Sequence, residues 1–129
     1  MKLASGPGKK TASHATALGK VLLAALDDEA VAALYAEEEL FPKLTPYTLP
    51  TRSALLEQLE EVRQNGFAID EQEAVVGFSC LAAPIKDAKG RTVAAISCSL
   101  LLHEWHNKRE LVERELLDLA GRLSNRQGD

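Results

Sequence analysis

Three shortages narrow what this sequence can be. Cysteine is nearly absent: among 129 residues there are only Cys80 and Cys98, at a spacing that matches no zinc motif. Residues 1–8 are too polar and too rich in glycine and proline for a signal peptide, so the two thiols fit a reducing cytoplasm rather than a disulfide scaffold. Long apolar runs are missing too, and nothing approaches the roughly 20 residues that a membrane-spanning helix needs. The third shortage is clustered positive charge. The formal charge is −4, and the pair Lys9-Lys10 near the start is far from the concentrated Lys/Arg surface that binding a phosphate backbone requires. There is also no internal repeat, and no low-complexity tract beyond residues 1–13.

What is present suits one globular domain: 46% apolar and 26% charged residues in a chain of common domain size. Residues 1–13 read as a flexible lead-in and 126–129 as a tail, around a domain of 14–125. Ser13 is placed to cap a helix over about 14–26, whose Leu18, Val21, Leu22, Ala25 and Leu26 share a face. Asp27 caps a short second helix carrying Val31, Leu34 and Tyr35, with Asp28 and Glu29 in the first turn where the dipole favours acids. Three prolines between 42 and 50 keep the stretch 41–50 extended or looped. Thr51 then caps a helix of about 52–64, with Leu55, Leu56, Leu59 and Val62 inward, and Asn65-Gly66 closes it.

From there the apolar period changes from helical to strand-like. Runs at about 66–73, 78–87 and 91–101 read as strands, the last two joined by the tight loop Asp87-Ala88-Lys89-Gly90. A helix of about 106–125 follows, striped with Val112, Leu116, Leu119 and Leu123. The order α-α-(β or loop)-α-β-β-β-α predicts an α+β fold, an antiparallel sheet flanked by helices. Side chains alternate faces along a strand. Phe67, Ile69, Leu81, Ile85, Ile96 and Leu100 fall on one face as core, and Asp70, Cys80, Ser97 and Ser99 gather on the other. A face of small side chains, hydroxyls and one carboxylate suits a small polar ligand. The plainer reading is a strand face that is simply wetter.

Four stretches resemble the effector-binding domain of the IclR family of bacterial transcription regulators. His14-Ala15-Thr16-Ala17-Leu18-Gly19-Lys20, followed by Val21-Leu22-Leu23-Ala24, is similar to the family's HATAxGKxxLA helix. Residues 62–73, with Arg63, Gly66, Asp70 and Glu73, resemble its vRxxGyaxdxxE segment. Gly77-Phe78-Ser79-Cys80-Leu81-Ala82-Ala83-Pro84-Ile85 resembles GxxcxAaPv, and Val93-Ala94-Ala95-Ile96-Ser97-Cys98-Ser99 resembles vaAisvS. The four occur in the family's order across roughly 14–124, and together they are specific. The resemblance implies a GAF/PAS-like sensor fold. It further implies a small-molecule effector, such as an organic or aromatic acid, held between the sheet and the first helix. The matching positions are Ala17, Leu18, Asp70, Cys80, Ser97 and Ser99, and the N-terminus of the first helix offers backbone N–H groups beside them. It implies no cofactor, no metal and no direct nucleic-acid contact by this chain, and it implies a homo-oligomer.

The sequence departs from the family pattern in three ways. It carries no helix-turn-helix segment. Only thirteen residues stand where the family's domain opens with a helix and a strand hairpin, so a pocket wall is missing from this stretch, whether as a piece of a longer protein or as a shortened copy. And Leu100-Leu101-Leu102 run on to His103 where the family tends to have Gly-Pro. The second departure predicts that strand 91–101 lacks a neighbour on one side and invites pairing with another chain.

Other functions fit these residues less well. Cys80, His14 and Asp70 are the residue types of a nucleophile, a base and an orienter, as a GAF-like cysteine redox enzyme would need. Yet Cys80 lies in an apolar run with no adjacent cation to activate it. His103 and His106, with Glu104 and Glu110 nearby, have helical spacing for a metal but no third soft ligand at fixed spacing. Trp105 between them reads as a packing anchor. An assembly-only oligomerisation module is the remaining alternative.

Overall fold

The structure, a computed structural model, describes residues 13–127. The expected lead-in, apart from Ser13, lies outside the described residues. The first helix, α1 (Ala17–Ala24), begins later than the sequence pattern implies. Its cap is Thr16, not Ser13: Thr16 is extended, and its hydroxyl accepts the Gly19 N–H at 3.0 Å. Residues 13–15 form a turn packed directly on the helix. Gly19 permits this, because a Cβ there would stand 2.5 Å from both the Cα and the carbonyl oxygen of Ser13. The buried face of α1 is also rotated from the expected one. Ala17, Lys20, Val21 and Leu23 are buried, Leu18 is half-buried, and Leu22, Ala25 and Leu26 are exposed.

Helix α2 (Asp28–Leu34) is capped by Asp27, whose carboxylate accepts the Ala30 N–H at 2.8 Å. Val31 and Tyr35 are buried but Leu34 is exposed. The proline-rich stretch is a loop closed by one antiparallel bridge, Leu40 to Thr51. Helix α3 (Arg52–Asn65) has Thr51 as its cap and ends at Gly66, where φ of 82° suits glycine. Arg63 ties α3 to the end of α1, donating to the carbonyls of Ala24 at 3.0 Å and Leu26 at 2.8 Å. Leu23, Val31, Tyr35, Phe41, Leu55 and Leu59 form the core shared by these three helices. Burying each such leucine is worth about 1.5–3 kcal/mol.

Three strands follow, β1 (Ala68–Glu71), β2 (Phe78–Lys86) and β3 (Thr92–Leu101), in the antiparallel order β1-β2-β3. The β2–β3 loop turns at Gly90, φ 78°, and Asp87 accepts the N–H groups of Lys89 and Arg91 at 2.9 Å each. Helix α4 (Leu102–Gln127) starts directly after β3, earlier than expected, and absorbs Trp105. It covers one face of the sheet, where Trp105, Leu116 and Ala120 pack on Leu81, Ala83 and Leu100, with Phe67, Ile69, Ile96, Cys98 and Val112 around them. Leu119, expected in the buried stripe, is 42% exposed, and Ala120 takes its place. The other face lies under α1 and α3: Ala17, Val21 and Val62 pack on Ala68 and Ala82. The result is three layers, α4, sheet, and α1 backed by α2 and α3, an α+β architecture. No described helix is long and apolar enough to cross a membrane.

Candidate functional site

The two strand faces separate as alternation requires. Asp70 pairs with Cys80, and Cys80 with Ser99, so the three lie abreast across the sheet on the α1 side. One row further on, Ala68, Ala82 and Ser97 are aligned in the same way. Ala17 sits on the second row, and Leu18 is half-buried next to it. Exposure rises from one edge to the other: Asp70 is 3% exposed, Cys80 is half-buried, and Ser97 and Ser99 are exposed. The six expected residues thus belong to one face and its covering helix; α1 reaches β3 at Ala95 but leaves Ser97 and Ser99 uncovered. The helix N-terminus is partly occupied, since the Thr16 hydroxyl takes the Gly19 N–H.

A cluster that sequence reasoning missed sits under this site. Lys20, fully buried, donates to Glu73 Oε1 at 2.7 Å and to the Ile69 carbonyl at 3.0 Å. Glu73 Oε2 accepts the Glu71 N–H at 3.3 Å, and Asp70 Oδ1 accepts the Glu73 N–H at 2.7 Å. Thr45 and Thr48 hold the same corner through the carbonyls of Gln72, at 2.6 Å, and Glu73, at 2.7 Å. The ammonium is thus ion-paired with Glu73, and its charge also reaches the second buried carboxylate, Asp70. Burial pushes the Asp70 carboxyl up to about 6; the Glu73 charge adds to this, while Lys20 and the N–H groups of Glu73 and Ala74 oppose it. Burial likewise raises Glu73, against the pull of Lys20. Near pH 6 Asp70 is part acid and part carboxylate, and as the acid it can donate to an anionic ligand.

The geometry does not assemble a cysteine nucleophile. Burial raises the Cys80 thiol; the hydrogen bond to Ser99, Sγ to Oγ 3.0 Å, opposes this, and the Asp70 charge adds to it. An activated thiolate needs the opposite shift. His14 is in another cluster, 4.5 Å between ring centroids from Phe41 and 6.5 Å from Tyr35. Burial lowers its pKa, and its Nε2 has no hydrogen bond among the described residues. His103 and His106 are exposed on α4, and no group of three metal-ligating side chains occurs among the described residues. A hollow of about 450 Å³ lies off the β1 edge, lined in part by Tyr47, Glu61, Phe67, Glu71 and Arg109, and includes none of the six expected residues.

A sheet covered by one long helix on one face and by a capped helix over a polar strip on the other defines an α+β domain of the kind found at the C-terminus of bacterial transcription regulators. A family model described as bacterial transcriptional regulator IclR, C-terminal, matches residues 1–125, and the chain belongs to that family. It is 37% identical over 114 residues to the HTH-type transcriptional regulator XynR of Escherichia coli, which covers 88% of the chain and 45% of XynR. The chain thus spans less than half the length of that relative. The crystal structure of the C-terminal domain of E. coli KdgR superposes with a TM-score of 0.80 at 30% identity, over 91% of this chain and 71% of that one. The inducer-binding domain of PobR from Acinetobacter, a double mutant in complex with 3-hydroxybenzoic acid, superposes with a TM-score of 0.77 at 32% identity, over 87% and 65%. These relatives are transcription regulators, not enzymes.

Proposed function

We propose that this chain is the effector-sensing part of an IclR-type regulator and binds a small organic acid on the α1 face of its sheet. Asp70, Cys80, Ser97 and Ser99 form the floor, with Ala17 and Leu18 on the wall. The observation that carries the reading is the cross-strand row Asp70–Cys80–Ser99, which runs from under α1 to the open side of the sheet. Asp70 in its acid form and the two serine hydroxyls supply donors for a carboxylate, and the alanines beside them leave room for a flat apolar body. The inducer complex of the PobR domain supports the ligand class. In this reading the chain works in the cytoplasm as a homo-oligomer, leaves DNA contact to another part of the regulator and performs no catalysis. Residues 14–125 are the sensing unit.

The test is a thermal-shift and calorimetric screen with hydroxybenzoates and small aliphatic acids. A ligand at about 100 times its dissociation constant adds about 2.7 kcal/mol to stability, a readily measured rise in melting temperature. Ser97→Leu should abolish the response and leave the circular dichroism spectrum unchanged, because the added bulk fills the open face and not the α4 core. A full response in that variant, or no response to any acid at millimolar concentration, overturns the assignment.

A further inference from the structure

The floor assigned to an organic acid carries one charged side chain, and its sign is that of the ligand. Asp70 is 3% exposed, and its row is completed by a thiol and a hydroxyl, Cys80 and Ser99. The next row holds Ala68, Ala82 and Ser97. Among the described residues the only cation that acts on Asp70 is Lys20 of α1. The Lys20 ammonium is already engaged, with Glu73 Oε1 at 2.7 Å and the Ile69 carbonyl at 3.0 Å. The turn after β1 brings a second acid, Glu73, and β2 brings the Cys80 thiol, whose own ionisation the Asp70 charge opposes. Oδ1 of Asp70 accepts a hydrogen bond from neutral backbone, the Glu73 N–H at 2.7 Å. A carboxylate arriving on this floor thus meets a second carboxylate where little water reaches. Two such groups at hydrogen-bond distance do not both stay ionised. One proton between them turns the repulsion into a short O–H···O⁻ hydrogen bond.

We propose that the effector acid and a proton bind this site together: each carboxylate that enters draws one proton from solvent, held between it and Asp70. The inference rests on the sensor reading of the same face. The charges balance. Before binding, Asp70 carries one negative charge; afterwards two carboxyl groups and one proton carry the same charge, so the buried site gains none. The proton comes from water or buffer, and no bond to carbon changes. Lys20 and Glu73 set the scale together, since the first favours the Asp70 carboxylate and the second disfavours it. The consequence is regulatory. Asp70 is held near 6 in the free chain, so above that pH the acid's affinity falls as pH rises. The domain then reports the product of acid and proton concentrations, not the acid alone.

Titration calorimetry of the 129-residue chain with acetate, benzoate and 3-hydroxybenzoate, in HEPES and in Tris, counts the protons. The observed heat differs between buffers by their ionisation enthalpies times the protons taken up. At pH 7.5 the expected uptake is about one proton per acid bound, and Kd should rise about tenfold from pH 6.5 to pH 7.5. Asp70→Asn keeps an oxygen for the Glu73 N–H and offers the ligand an N–H in place of the acid. It should bind the same acid with no proton uptake and the same Kd at both pH values. The uncharged probe 3-hydroxybenzamide should not weaken for the parent chain as pH rises. An acid that binds the parent without proton uptake overturns the inference and leaves the sensor reading standing. So does an Asp70→Asn chain that takes up the same proton. If that variant does not fold, the parent's proton count still decides. No binding of any of the three acids by the parent at pH 5.5 or 7.5 overturns both.

Discussion

Among the described residues, the two outer strands of the sheet treat their outward backbone groups in opposite ways. At β1 the outward Ile69 carbonyl receives the Lys20 ammonium at 3.0 Å, and the outward Glu71 N–H meets Glu73 Oε2 at 3.3 Å. The two side chains are joined to each other at 2.7 Å. One donor and one acceptor, fixed in a buried ion pair, thus stand where a neighbouring strand would be. At β3 Ala95, Ser97 and Ser99 turn the same groups away from β2, with nothing against them among the described residues. A buried ion pair is seldom more stabilising than apolar side chains of equal volume. Its effect at β1 is closure: a further strand could pair there only by displacing it. The same pair holds α1 across the sheet and sets the electrostatics of Asp70, so the closed edge is also the one that builds the candidate site.

The largest expected effect comes from opening the closed edge. Lys20→Met leaves Glu73 buried without a counter-ion and the Ile69 carbonyl without its donor. A loss of about 3–5 kcal/mol in urea unfolding is expected. The double variant Lys20→Met with Glu73→Leu removes both charges and should recover most of that loss. It also leaves the β1 edge bare, so it should aggregate faster than the single variant's stability predicts. A recovered double variant that stays as soluble as the parent would show that the ion pair does not act as an edge guard.

A smaller effect follows from Asp70, the second buried carboxylate beside that pair. Asp70 titrates near 6 in the folded chain, against about 3.9 when unfolded. Between those values the folded state binds more protons than the unfolded one, so stability falls as pH rises from about 4 to about 6 and is level for this group above that. The two-unit difference corresponds to roughly 2–3 kcal/mol. Asp70→Asn keeps an oxygen to accept the Glu73 N–H and removes the charge. It should flatten the slope between pH 4 and 6 and raise stability at pH 7.5. An unchanged slope in chemical denaturation would mean that Asp70 is ionised throughout, and would remove its donor role toward a carboxylate ligand.

The strand half of the fold was legible because alternation is a strict rule: a residue two places along must return to the same face. That put Asp70, Cys80, Ser97 and Ser99 together and assigned Leu81, Ile96 and Leu100 to the α4 side. The helical half was less legible. Leu18, Val21, Leu22 and Ala25 have perfect helical spacing, but so do Ala17, Lys20, Val21 and Ala24, and the second set is the one that packs on the sheet and its neighbours. A lysine in a stripe reads as solvent-facing unless its buried partner is known, and Glu73 is 53 residues away. The resemblance to a GK-bearing helix and a Glu-ending segment held both residues without saying that they meet. Leu119 failed for a related reason: it lies on the flank of α4, lining an open groove with Cys98 and Leu111, and is left 42% exposed. The small Ala120 fits instead where the helix comes close to β2 and β3.

The smallest stability effect, and the most direct contrast between the edges, is expected from Val93→Lys. Val93 is 53% exposed and is the residue passed over where the β2–β3 register shifts between Ile85 and Lys86. A surface substitution of this kind changes stability by about 0.5 kcal/mol or less, so the melting temperature and circular dichroism should be those of the parent. Lysine is nevertheless a common guard of open edges, because a second strand approaching it must desolvate the ammonium or bend away. In a pair of identical strands the charge appears on both copies, so the penalty is met twice. Association measured by light scattering should therefore weaken while the fold is untouched, a separation that no core variant gives. If association of the 129-residue chain is unchanged, any contact between copies lies away from β3. If instead the fold is lost, residue 93 is packed and not at an open edge, and the strand order assigned to β3 fails with it.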